Sequence, residues 1–197
     1  MNLTSHFETL TKTPASDCPS FKCAPSDLIA VATHLRDAEG YAMLMDVTAI
    51  DNGEAASPRF TGVYHFLNMT IREYCRIVVD CECNVSPKLP SITSVFAAAD
   101  WHERETYDMF GIVYENHPNM KRILMWDEFK YYPLRKDFPL AGIEDEYPEE
   151  DVVQHTGLKV KPAPMAGGPF VAPPSGPMSE KEPRAKDQSW NESKPKQ

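Results

Sequence analysis

Residues 41–80 read YAMLMDVTAIDNGEAASPRFTGVYHFLNMTIREYCRIVVD, and their pattern decides the fold. Three runs rich in β-branched and aromatic residues are separated by turn chemistry. In the first, Tyr41 to Ile50, alternation puts Tyr41, Met43, Met45 and Val47 on one face. Asn52-Gly53 and the small residues behind it make a loop. Phe60 to Met69 is the second run. The third, Ile71 to Asp80, places Ile71, Cys75, Ile77 and Val79 inward and Arg72, Tyr74 and Arg76 outward. Connections this short join antiparallel neighbours, so the three runs predict a meander.

Helices flank these strands on both sides in the sequence. Upstream, Ser26 is a good N-cap after Pro25, and the helix runs to about Glu39, where Gly40 ends it. Leu28, Val31, Ala32 and Leu35 form its apolar stripe. Downstream, Pro87 to Pro90 breaks the chain, and Ser91 caps a second helix that continues to Phe110 and stops at Gly111. A short strand, Ile112 to Tyr114, and an apolar run, Arg122 to Trp126, follow. The fold class is α+β: a mixed β-sheet with helices on one face. Residues 1–24 read as an irregular N-terminal segment, 25–130 as the core domain and 131–197 as a long, extended, Pro-rich C-terminal arm.

The arm rests on composition. Seven of the chain's 18 prolines fall between positions 162 and 183, with Gly167-Gly168 among them. Such a stretch holds too little apolar surface to offset its own ordering entropy. Met165, Phe170, Val171 and Trp190 read as anchors for a partner surface.

Charge and cysteine usage exclude several classes. The 197 residues carry a net charge of −9, which disfavours nucleic acid and anionic lipid as partners. Residues 144–151 (EDEYPEED) hold six carboxylates and no base, a solvated loop or a contact for a basic partner. No run approaches the ~20 apolar residues of a membrane span, and the N-terminus shows no export or transit signal. The protein is therefore expected to stay where it is made. Cysteines at 18, 23, 75, 81 and 83 form no C-x-x-C, so reduced thiols are expected.

The densest chemistry lies in Asp100 to Gly111, DWHERETYDMFG. His102-Glu103 begins like a zinc-protease helix, but Thr106 stands where the second histidine is needed. Glu103 and Glu105, two apart on a helix, point away from each other and make no acid/base pair. No Gly-rich dinucleotide loop or Walker loop occurs, and no nucleophile elbow. A structural reading fits better. Arg104 has Asp100 and Asp108 four residues to either side and can pair along the helix. Continuing the stripe Ile92, Phe96, Ala99 puts Glu103, Thr106 and Phe110 on the buried side. Either the helix is re-phased near Asp100, or Glu103 is buried and must meet a cation, with Arg122 and Arg135 the candidates.

The same residues carry a resemblance. Glu103-Arg104-Glu105, then Asp108-Met109-Phe110-Gly111, then His117-Pro118, Met120, Arg122-Ile123-Leu124, and finally Pro133-Leu134-Arg135-Lys136-Asp137-Phe138-Pro139-Leu140 are similar to the 30 kDa subunit family (the C subunits) of the proton-pumping NADH:quinone oxidoreductase, respiratory complex I. Weaker likeness extends upstream through Asp46 to Asp51, Arg59-Phe60 and Val63-Tyr64-His65. Tyr131 and Trp126 depart from the family's usual residues and bear on local loop geometry only.

The resemblance implies a non-catalytic scaffold with no active site, flavin, cluster, metal or quinone-site residue of its own; FMN, Fe-S clusters, NADH and quinone belong to other subunits. It implies a protein that braces the quinone-reducing D subunit and its neighbours, the B and I subunits. Its place would be the cytoplasmic side of a bacterial inner membrane, peripheral to the bilayer. His65, His102 and His117 are expected as packing or interface residues. Arg135, Lys136 and Asp137 are expected to pair across an interface, on a strip held extended by Pro133 and Pro139. Two alternatives stand beside this reading: the equivalent subunit of a membrane-bound hydrogenase or photosynthetic NDH complex, and a free-standing hydrolase using the carboxylates between His102 and Asp108.

Overall fold

The computed structural model describes residues 3–127 and 129–139. The chain divides into two compact units, Met1–Asp137 and Phe138–Gln197. Of the second unit only Phe138 and Pro139 are described, so the proline-rich stretch, its anchors and the acidic run 144–151 lie outside the described residues.

The first unit is built on a five-stranded sheet. Its strands are β1 (Thr11–Thr13), β2 (Ser20–Cys23), β3 (Met43–Asp51), β4 (Phe60–Asn68) and β5 (Glu73–Asp80), ordered β1-β2-β5-β4-β3. The meander β3–β4–β5 is antiparallel as expected, while β2 runs parallel to β5, which makes the sheet mixed. Helix α1 (Leu28–Asp37) joins β2 to β3 after a 3₁₀ turn at Pro25–Asp27. Beyond the sheet come β6 (Lys88–Pro90), α2 (Ala99–Phe110) and β7 (Val113–Glu115), with β6 and β7 paired in parallel. No helix among the described residues is long and apolar enough to cross a membrane.

One sheet face builds the core. Cross-strand register aligns Val47, Tyr64, Ile77 and Phe21 across four strands, and all four are buried. The α1 stripe Leu28, Val31, Ala32 and Leu35 is 0% exposed and joins the same cluster, as do Ala99, Met109 and Phe110 of α2. At ~25 cal/mol per Å² of apolar surface, each large side chain of this kind contributes about 1.5–3 kcal/mol.

Several boundaries differ from the sequence reading. The segment 1–24 is not wholly irregular, since β1 and β2 belong to the sheet. They are too short to show alternation, and the β5 partner of β2 is distant in sequence. Strand β3 carries a bulge between Leu44 and Asp46, which flips its phase. Leu44 therefore faces the core, and Met43, expected inward with Tyr41 and Val47, is 46% exposed. Ile71 is 58% exposed, because Arg72 turns the chain at a positive φ of 55° and β5 begins only at Glu73. The Pro87–Pro90 stretch forms β6 rather than a plain break, and Ser91 caps no continuous helix. Successive turns fill residues 91–98, where Val95 and Phe96 both donate to the Ile92 carbonyl. Gly111 does end α2, at φ 77°. Finally, the first unit runs to Asp137, past the boundary expected at 130.

Candidate functional site

Helix α2 places two acids on its buried side, and each holds a different neighbour. Glu103 is 0% exposed, as its helical phase predicts, with Thr106 and Phe110 buried beside it. Its Oε1 accepts a hydrogen bond from Ile92 N at 2.8 Å, which folds the 91–98 turns back onto the helix. The expected cation is not there. Arg122 and Arg135 are engaged elsewhere, and Oε2 has no hydrogen-bond partner among the described residues. Burial raises the Glu103 carboxyl to about 7, against the opposing hydrogen bonds of Ser91 and Ile92 and with a small push from Asp100.

His117 closes this pocket as a packing residue. Its Nδ1 accepts from Asn119 N at 3.0 Å, so the proton sits on Nε2. Nε2 lies 3.2 Å from the Asp100 carbonyl and 4.0 Å from Glu103 Oε2. Buried Tyr64 and Tyr114 complete the surroundings, and burial pushes both phenols above their usual range. Pro118, next to His117, is exposed.

Asp108 anchors the segment beyond β7. Its Oδ2 accepts three consecutive backbone N–H groups, from Ile123 at 3.0 Å, Leu124 at 2.7 Å and Met125 at 2.9 Å. Its Oδ1 meets Arg122 Nη1 at 2.5 Å. Burial alone would raise this carboxyl; the three N–H bonds and the guanidinium outweigh it and hold the pKa below the ordinary value. The Arg104 pairing expected along α2 does not form. Arg104 donates instead to the carbonyls of Lys121 (3.0 Å) and Arg122 (3.4 Å) and lies over Trp101. Glu105, on the solvent side, is exposed.

The Pro133 to Asp137 strip packs on this same unit. Leu134 N donates to Met109 O at 3.1 Å, and Arg135 Nε donates to Phe110 O at 2.6 Å, just before the helix-ending Gly111. The Arg135 guanidinium sits 4.4 Å from the Tyr132 ring and 4.9 Å from that of Phe60. A side chain on Gly111 would collide with both Arg135 and Tyr132. Lys136 N donates to Asp51 Oδ2 at 2.8 Å, and Asp137 pairs with Arg59 at 2.9 Å. Within this chain, then, Arg135 contacts a carbonyl and two rings, and Asp137 pairs with Arg59. Pro133 is half-buried and Pro139 exposed.

Asp51 and Arg59 had no role in the sequence reading, although both fell in its weaker likeness. They form a buried pair, Nη2 to Oδ2 at 3.0 Å, across the loop between β3 and β4. Burial opposes the Asp51 charge, yet hydrogen bonds from Arg59, Lys136 N and Gly53 N bring its pKa to about 2. An acid and a base flanking one hairpin loop was the available signal.

His65 accepts from Arg76 Nε at 2.8 Å, and His102 lies 3.7 Å from Asp46. Among the described residues no group of three His, Cys, Asp or Glu side chains is placed to hold a metal. A depression of about 490 Å³ is lined in part by Lys22, Cys23, Asp80 and Cys81 and shares no residue with the α2 motif.

Comparison with known proteins agrees with the motif. The family described as respiratory-chain NADH dehydrogenase, 30 kDa subunit, matches residues 21–144. The C subunit of the NADH-quinone oxidoreductase of Saccharopolyspora erythraea is 44% identical over 122 residues, 61% of this chain and 49% of the relative. The NADH-quinone oxidoreductase C/D subunit of a Sulfurihydrogenibium species is 45% identical over 105 residues, 53% of this chain and 18% of that one. A chain of the membrane-bound sulfane sulfur reductase, an archaeal respiratory membrane complex, shares the fold, with a TM-score of 0.60 at 17% identity over 82% of this chain and 91% of that one. The matched part spans about half the length of the Saccharopolyspora protein. With the family match covering residues 21–144 and the α2 motif inside it, the chain belongs to the respiratory-chain NADH dehydrogenase 30 kDa subunit family.

Proposed function

We propose that this chain is a non-catalytic scaffold, the C subunit of a proton-translocating NADH:quinone oxidoreductase. It sits in the peripheral arm, on the cytoplasmic side of a bacterial inner membrane, and braces the quinone-reducing module while electrons pass from NADH through FMN and Fe-S clusters to quinone in other subunits. One observation supports the scaffold role above others. The motif's charged groups Arg104, Asp108, Arg122, Arg135 and Asp137 are each engaged in internal contacts that fix loops to α2 and the sheet, instead of facing a substrate cleft. The D subunit is the leading partner, with the B and I subunits beside it; the Sulfurihydrogenibium relative, named as C/D, supports D.

The test is deletion and complementation in the native host. Deletion should abolish membrane NADH:quinone activity and lower the level of the D subunit. The full chain should restore both, while the purified chain oxidises no NADH. Turnover by the purified chain, or unchanged membrane activity in the deletion strain, would refute the scaffold role.

A further inference from the structure

Between the outer edge of β3 and α2 runs a small groove with a volume of about 40 Å³. By the same measure a single water needs only ~10–15 Å³, so the space suits the end of one side chain. Met109, Phe110 and Leu134 give it apolar walls, and Asp46 and Glu105 stand at its rim. Leu134 is 55% exposed, although Leu134 N is tied to Met109 O, so the strip holds an apolar side chain open to solvent at this point.

Two features decide what could enter. First, α2 already lies against the edge of β3, where the Thr106 hydroxyl is within hydrogen-bond reach of both the Val47 carbonyl (3.0 Å) and the His102 carbonyl (2.8 Å). An added strand would have to displace the helix side chain, so a side chain fits the groove better than backbone pairing does. Second, among the described residues neither rim carboxylate meets an arginine or lysine. Glu105 makes no hydrogen bond or ion pair among the described residues. Among the described residues Asp46 faces two histidines, His65 at 3.9 Å and His102 at 3.7 Å. Burial and the neighbouring Arg76 push the His65 pKa down. Nearby arginines are occupied, Arg104 by backbone carbonyls and Arg135 by Phe110 O.

We propose that this groove receives one arginine side chain from a neighbouring subunit, its methylenes against Met109, Phe110 and Leu134 and its guanidinium shared by Asp46 and Glu105. A planar fork of five N–H donors meets two carboxylates where an ammonium meets one well. The inference rests on the reading of this chain as part of a larger assembly.

The experiment uses the tagged full-length chain in its native host. Glu105→Arg and Asp46→Arg should each lower the partner subunits retained after a salt wash by at least about tenfold, as expected for a broken interfacial charge pair. Glu105→Gln should fall in between, and the melting midpoint of each purified variant should stay at the wild-type value. Independently, a photo-crosslinking residue at Leu134 should capture a peptide of another subunit that contains an arginine. Wild-type retention by both reversals, or capture of an arginine-free peptide or of a second copy of this chain, overturns the groove proposal alone. A wild-type chain that retains no other subunit overturns the assembly reading, and the groove proposal with it.

Discussion

Replacing Glu103 by Gln tests the account of the α2 pocket at its least conventional point. The carboxyl is 0% exposed, meets no arginine or lysine among the described residues, and titrates near 7 instead of the ordinary 4.5. Between those two values the folded chain keeps a proton that the unfolded chain has released. Stability therefore falls as pH rises through this window, and the full penalty is present above it. A shift of this size at ~1.4 kcal/mol per unit corresponds to about 3 kcal/mol. Glutamine keeps the Oε1 acceptor for Ile92 N and removes the charge. Any fixed cost of the amide is the same at every pH, so the difference between the two proteins carries the signal. Urea denaturation followed by circular dichroism at pH 5 and pH 8 should show Glu103→Gln gaining about 2–3 kcal/mol relative to wild type across that interval. Parallel stability profiles would refute the reasoning, since they would mean that Glu103 ionises in place at little cost and has a cation beside it.

Asp108→Asn should behave in the opposite sense. It weakens three backbone hydrogen bonds and leaves Arg122 unpaired, a loss of about 3–5 kcal/mol at neutral pH, measurable by the same denaturation series. Asp51, held near 2 against an ordinary 3.8, adds about 2 kcal/mol that is complete above the ordinary value and lost as pH falls through the folded one; Asp51→Asn should flatten the acid limb of the stability curve there. A chain ending at Lys130 should melt below one ending at Asp137, because it loses the contacts of Arg135, Lys136 and Asp137; equal midpoints would mean that the strip adds nothing to the fold. Gly111→Ala should cost at least ~1–2 kcal/mol from the left-handed backbone alone, and more from the clash with Tyr132.

The meander and the two apolar helix stripes were legible because their periods are local. Leu28, Val31, Ala32 and Leu35 need only 3.6-residue spacing to be recognised, and Glu103, Thr106 and Phe110 fell inside by the same rule. What escaped depends on residues far apart in the chain. β2 finds its partner β5 more than fifty positions away, and its four residues carry no period of their own. The bulge near Met45 shifts β3 by one residue, enough to turn Met43 outward, and no turn residue marks it. Around α2 the sequence supplied the right acids and the wrong partners. Helical spacing suggested Arg104 with Asp100 and Asp108, but the loop 121–125 offers three aligned N–H groups and two carbonyls that compete better than an exposed i,i+4 pair. The PLRKD strip read as extended from its prolines; that Asp51 and Arg59 hold it down required the tertiary fold.

The most direct test of the central claim is copurification of the affinity-tagged full chain from its native membranes, with partners identified by mass. The account predicts the D, B and I subunits in equimolar amounts with this chain, in a fraction that oxidises NADH with a quinone and carries FMN and iron. Recovery of the chain alone, or with hydrogenase subunits and no flavin-bearing NADH module, would contradict it.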